Sequence, residues 1–176
     1  QGIMSSRSFG RPVRTRTELE EAVSEYAGLA VDKLRSQGSA AGEVAVHIAT
    51  NRHAEGPQYR NWAAEALPLR SAYPPALIET ARRLLKQIYR QGYAYKKAGV
   101  YLCDIGSAAD QQNHLFARRD ERQEQIMEVL DGLRKKYGKA AMWNLSRGNA
   151  QPWQMRRNQL SPAYTTRWTD LPIVHC

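Results

Sequence analysis

Apolar and polar positions change period several times along this chain, and each change marks an element. Ile3 to Phe9 reads as a strand made polar by Ser5, Ser6 and Ser8, with Gly10-Arg11-Pro12 ending it. Thr17-Glu18-Leu19-Glu20 has the form of a capping box, in which the Thr17 hydroxyl accepts from the N3 amide while Glu20 reaches back. The helix it opens runs to Gln37-Gly38. Leu19, Ala22, Val23, Tyr26, Ala30 and Leu34 recur along it at helical spacing as one buried stripe. Gly42 opens a second strand, where Val44, Val46 and Ile48 alternate with Ala45, His47 and Ala49; the second set is small and mildly polar, so a large ligand could lie against it. Thr50 to Pro57 is a long turn, and Arg60 to Leu67 a weaker third strand stopped by Pro68. Pro74-Pro75 starts a second helix, buried through Leu77, Ile78, Ala81, Leu84, Leu85 and Ile88 and ended by Gly92. Tyr95 to Asp104 is the fourth strand: Ala98, Val100 and Leu102 point one way, Tyr95, Lys97, Gly99 and Tyr101 the other.

The order strand, helix, strand, strand, helix, strand predicts an α+β fold of the split βαβ kind, with two helices on one face of a four-stranded sheet. The other face stays open, and Gly99 on it allows close backbone approach beside Lys97 and Tyr101. Further on, Asp120 reads as an N-cap with Gln123 three residues later. Ile126, Val129, Leu130, Leu133 and Tyr137 then predict a third amphipathic helix ended by Gly138. Ala141 to Leu145 reads as a short strand. The tail beyond has little periodicity, and three of the four tryptophans (Trp143, Trp153, Trp168) lie in this last segment. It is too small for a stable core of its own, so it either needs a partner or docks on the first domain. The resulting division is 1–105 for the sheet domain, 106–119 for a linker and 120–176 for the C-terminal segment.

The charge balance adds a partner class. With 26 basic and 17 acidic residues among 176, the chain carries a net charge of +9, and the excess is spread over both halves. A polyanion, nucleic acid above all, suits such a surface. Cys103 and Cys176 are the only cysteines and form no CxxC, which argues for a reducing compartment and against a disulfide or zinc framework. No apolar leader and no stretch of membrane-spanning length is present in the sequence, so the expectation is a soluble cytoplasmic protein with no membrane partner.

The sequence carries no recognisable catalytic motif. His47, His53, His114 and His175 stand apart, none with a Cys, Asp or His at metal spacing. The chain has no GxGxxG, GxxxxGK[ST] or GxSxG. Glu18, Glu20 and Glu21 cluster only where a helix N-terminus favours acids, so no carboxylate set is available for two-metal nucleotidyl transfer.

One short peptide stands out in the linker. Gln112-Asn113-His114-Leu115-Phe116 follows Gly106 to Gln111, a run too small and polar to form an element. Leu115 and Phe116 either fold back on the domain or supply a buried anchor in another protein's pocket, with Gln112 fixing register by hydrogen bonding. Gln-x-x-Leu-Phe resembles the peptide by which bacterial polymerases dock on the sliding clamp; Asn113 and His114 depart from its commonest middle residues.

Several stretches together resemble the C-terminal part of the UmuC-type Y-family translesion DNA polymerases, the catalytic subunits of DNA polymerase V. They are Ser6-Arg7-Ser8-Phe9-Gly10; Tyr26-Ala27 and Lys33-Leu34-Arg35; Gly92 to Val100; the clamp-like peptide; and Trp153 to Arg157 followed by Leu160-Ser161-Pro162 and Tyr164 to Arg167. The resemblance covers nearly the whole chain. It implies that the first domain is a little finger laying its open sheet along template-primer DNA, mainly through phosphates. It matches Ser6, Arg7 and Ser8 to the first-strand DNA contact, Lys96, Lys97 and Gly99 to the fourth strand beside it, and Gln112, Leu115 and Phe116 to the clamp peptide. It further implies that the metal-binding carboxylates and their magnesium belong to a palm before Gln1, leaving no cofactor to this chain. The C-terminal segment is implied to serve the complex with the processed UmuD dimer and RecA in SOS mutagenesis and DNA repair, in a bacterial, nucleoid-associated protein. Two other functions compete: an RNA-binding module of RRM order, and a clamp-binding regulator without DNA. RRMs carry stacking aromatics of a K/R-G-F/Y-type signature on the third strand, which Asn61 to Ala66 lacks.

Overall fold

The computed structural model describes residues 2–107, 121–138, 144–148, 151–155 and 165–170. Six elements come first: β1 (Ile3–Val13), α1 (Arg16–Ser36), β2 (Ser39–Thr50), β3 (Arg60–Ser71), α2 (Pro74–Ile88) and β4 (Tyr95–Ser107). They are followed by α3 (Glu121–Tyr137) and two 3₁₀ turns, Leu145–Arg147 and Trp168–Asp170. The strands form one antiparallel sheet in the order β1-β4-β2-β3. β4 is therefore inserted between β1 and β2, and β2 between β3 and β4, so both helical crossovers are split βαβ units as the element order implies.

The core lies between the sheet and α1 and α2. Val44, Val46 and Ile48 from β2 and Ala98, Val100 and Leu102 from β4 meet Leu19, Val23, Tyr26 and Leu34 of α1 and Leu77, Ala81, Leu84 and Leu85 of α2, all essentially inaccessible to water. Burying each large aliphatic side chain contributes about 1.5–3 kcal/mol.

The boundaries depart from the sequence reading in ways that have local causes. The cap of α1 is Thr15, not Thr17: its hydroxyl oxygen accepts from the Glu18 amide at 3.3 Å, and the hydroxyl donates to the Glu18 carboxylate at 2.9 Å. Both Thr15 and Thr17 have a glutamate three residues on. Glu20 is drawn instead to Arg16 at 3.1 Å and to Arg82 of α2 at 2.9 Å. β1 passes through Gly10-Arg11-Pro12 and regains its partner at Val13, opposite Tyr95, after an irregularity. β3 passes through Pro68 for the same kind of reason. It is an edge strand, and its register against β2 shifts between Glu43↔Ala66 and Ala41↔Ser71, where a missing amide leaves no ladder bond unmade. α2 ends at Ile88, before Gly92; β4 runs on past Asp104 through Gly106 and Ser107, assigned to the linker from sequence, because both pair with the start of β2 at Ala40 and Ser39.

Tyr95 corrects a facing assignment. Between Ala49↔Lys97 and Thr50↔Tyr95 the fourth strand carries one extra residue, Lys96. That bulge reverses the alternation, so Tyr95 turns into the core, its hydroxyl donating to the Arg90 carbonyl at 2.8 Å.

The third helix differs more. Ile126, Val129 and Tyr137, expected on its buried stripe, are exposed; Leu130 and Leu133 are half-buried, and Met127 is the buried residue. The roll of α3 follows ion pairs to α1, Arg134 to Asp32 at 2.6 Å and Arg35 to Asp131, rather than its apolar stripe. Asp120 and residues 141–143 lie outside the described residues. Leu145, expected to end a short strand, opens a 3₁₀ turn capped by the Asn144 side chain.

The described residues around Arg147 and Trp153 dock on the first domain, one of the two alternatives the segment's size allows. Trp153 is 1% exposed. Its ring meets Phe9 and Tyr26 edge-to-face, with centroids at 6.2 and 5.8 Å. Its indole N–H points to the Glu21 carboxylate at 3.4 Å, and its carbonyl accepts from the Gly10 amide at 3.1 Å. Arg147 adds an ion pair to Glu25 at 3.2 Å.

Candidate nucleic-acid interface

The helices leave one sheet face uncovered, and strand register fixes what it presents. Three rows cross it in the order β1, β4, β2, β3: Met4, Tyr101, Ala45, Ala64; then Ser6, Gly99, His47, Trp62; then Ser8, Lys97, Ala49, Arg60. A groove of about 980 Å³ runs over this face, lined among others by Ser8, His47, Arg60, Trp62, Lys96 and Lys97.

Gly99 occupies the centre. A Cβ there would collide with the His47 ring and with Ser6 Cβ, so the space a side chain would take is already held by its two neighbours. The close approach read from the sequence is thus made by residues of the same sheet. The Ser6 hydroxyl beside it is buried without a hydrogen-bond partner, and His47 Nδ1 is buried against the Gly99 backbone. His47 leans on the Tyr101 ring, with centroids 5.3 Å apart and planes at 54°. Burial first, then the positive charges of Lys97 and Arg60, hold its imidazole below the ordinary value of 6.5; the Gly99 carbonyl pulls the other way. Its uncharged form is therefore favoured, in the midst of cations.

Of the sequence candidates, Ser6, Ser8, Lys97 and Gly99 share this face. Lys96 sits on the bulge, lines the groove, and donates from Nζ to the Phe9 carbonyl at 2.6 Å. Arg7 does not join them. It pairs with Ala98 on the helix-covered side of the edge strand, near enough to Tyr26 to oppose the burial that pushes that phenol up to about 12. The clamp-like peptide, Gln112 to Phe116, lies outside the described residues. The reading missed Arg60 and Trp62, the contribution of β3. The signal was the alternation of Arg60, Trp62 and Ala64 with Asn61 and Ala63, the second of which packs on the core. Among the described residues no group of three or more His, Cys, Asp or Glu could hold a metal ion, and no helix is long and apolar enough to cross a membrane.

Residues 1–115, which include the whole sheet with α1 and α2, match the impB/mucB/samB family C-terminal domain. The chain belongs to that family. Residues 124–174 match a further domain of unknown function, DUF4113. Within the impB/mucB/samB family the chain is 41% identical over 175 residues to protein SamB of Salmonella typhimurium, 98% of this chain. It is 38% identical over 176 residues to protein ImpB and 38% over 174 to protein UmuC of the same species, 98% and 97% of this chain. In each case it spans 41% of the relative's length. Among solved structures it is similar to a Dbh DNA polymerase in a post-insertion binary complex, with a TM-score of 0.48 at 13% identity over 60% of this chain and 29% of that one. It is also similar to the little finger domain of PolIV in its complex with the beta-clamp processivity factor, with a TM-score of 0.42 at 13% identity over 66% and 100% of the two chains. Similarities this slight carry no further argument.

Proposed function

We propose that this chain is the noncatalytic DNA-binding and clamp-docking portion of an error-prone translesion DNA polymerase. Residues 1–105 act as its little finger, 106–119 as a linker bearing the clamp peptide, and 120–176 as a C-terminal domain. The observation that carries the DNA-binding part is the open face itself, where Lys97, Arg60 and Lys96 border a groove lined along β2 by Ala45, His47 and Ala49. Cations at the border meet phosphates, which position template-primer DNA without reading its sequence. Tolerance of sequence suits a polymerase that copies damaged bases.

Family membership supports the rest of the reading. The acids that bind magnesium belong to a palm in the part of the parent polymerase that this chain does not span. The parent acts in SOS mutagenesis and DNA repair in the bacterial cytoplasm. Gln112, Leu115 and Phe116 dock the sliding clamp, with Asn113 and His114 between them, and the C-terminal domain serves the assembly with processed UmuD and RecA.

Titrating the chain with primer-template DNA over a range of salt tests the DNA-binding face. Each phosphate contact contributes about −0.9 to the slope of log K against log salt. Changing Lys96 and Lys97 to alanine is expected to flatten that slope by up to roughly two. A slope unchanged in the double variant, or strong preference for one sequence, contradicts the assignment.

A further inference from the structure

We infer that this sheet face holds an unpaired nucleotide as well as phosphates, with the Trp62 indole as the surface on which its base stacks. The inference rests on the DNA-binding reading above and adds the form of the ligand: single-stranded DNA, as found beside a duplex at a primer-template junction.

Trp62 is 68% exposed, the most exposed large apolar side chain among the described residues of the sheet domain. It takes no part in the core, and its partner across the ladder is His47. His47 in turn leans on Tyr101, so register places Trp62, His47 and Tyr101 on three successive strands, β3, β2 and β4, about 4.8 Å apart. One row along, Arg60 and Lys97 lie on the outer two of these three strands. A nucleotide whose phosphate meets Arg60 can therefore lay its base on Trp62. Bases in a duplex are already stacked on one another and offer only their edges to the groove. Bases of a single strand have free π-faces, and stacking on them tolerates any sequence. The charge on this face selects a polyanion, and the exposed indole selects an unpaired one.

The test uses the whole 176-residue chain with a labelled single-stranded DNA 12-mer, a hairpin duplex of matched sequence, and an RNA 12-mer. Trp62→Ala is expected to weaken single-strand binding about tenfold, to change duplex binding by less than about twofold, and to leave the salt slope unaltered. Trp62→Phe should restore most of the affinity, while reducing the quenching of tryptophan emission expected of the parent chain on single-stranded DNA, Trp62 being one of its four tryptophans. Lys97→Ala should instead weaken both forms and flatten the slope. Equal losses on single strand and duplex with Trp62→Ala, no loss at all, or tighter binding of RNA than of DNA would each overturn the inference. If Lys97→Ala weakens duplex binding while Trp62→Ala leaves single-strand binding intact, the stacking surface is wrong and the DNA-binding face stands. If the parent chain binds neither form, both fall.

Discussion

His47 faces Lys97 and Tyr101 on β4, Arg60 and Trp62 on β3 and Ser6 on β1, with Glu43 farther along its own strand. Its position gives two pH effects of opposite sign. The folded protein holds the imidazole below 6.5, so the unfolded chain binds the proton more readily. The stability this contributes is fully present above about pH 6.5 and is lost as pH falls through that value towards the lower folded one. Phosphates laid on the face reverse the local sign by favouring the charged ring, so DNA binding takes up a proton and strengthens as pH falls. We therefore expect thermal melts to soften between pH 7.5 and 5.5 while DNA affinity rises over the same range, with both trends flattened in His47→Gln. Trends running in the same direction would mean that this imidazole is not the titrating group. The sequence placed His47 on the second face of its strand, but not the basic neighbours from other strands that depress it. Those depend on register, which alternation within one strand does not specify.

At the scale of elements, the sequence was most informative where periodicity was long. The stripe of α1 from Leu19 to Leu34 and that of α2 from Leu77 to Ile88 are buried as read. The alternation in β2 was also legible, because β2 is flanked on both sides and one of its faces is all aliphatic. Local rules failed where a neighbour overrode them. Pro68 is tolerated because, among the described residues, no strand lies beyond β3, and one inserted residue at Lys96 reverses the facing of Tyr95. α3 shows the limit most plainly: its apolar residues form a stripe, yet Met127 is the one buried while Asp131 and Arg134 pair with Arg35 and Asp32 of α1. Trp153 was beyond reach from sequence, since an isolated aromatic in an aperiodic tail says nothing of its seat. Removing it tests the docking. We expect Trp153→Ala to cost about 3 kcal/mol, read from urea melts, and to leave DNA binding by the opposite sheet face within about twofold. A melt indistinguishable from the parent would show that the tail is not held there.

For the whole molecule, the proposed function needs two contacts made at once: the open face on DNA, and the peptide from Gln112 to Phe116 on the clamp. Tethering converts the second into an intramolecular event, so a weak peptide suffices once the first is made. Changing Leu115 and Phe116 together to alanine is expected to abolish clamp binding while leaving melting temperature and DNA affinity nearly unchanged. A clear loss of melting temperature with clamp binding retained would assign the pair to the core instead.

The seat of Trp153 also has a history in time. Phe9 and Tyr26 leave the ribosome with the first strand and helix, but the indole that covers them is more than a hundred residues behind. At about 5–20 residues per second, the interval is roughly 6 to 25 seconds. For that interval every nascent chain displays an aromatic cleft with a glutamate at its rim, Glu21, and nothing of its own to fill it. The cleft built by Phe9 and Tyr26 is thus closed by a residue made more than a hundred positions after them.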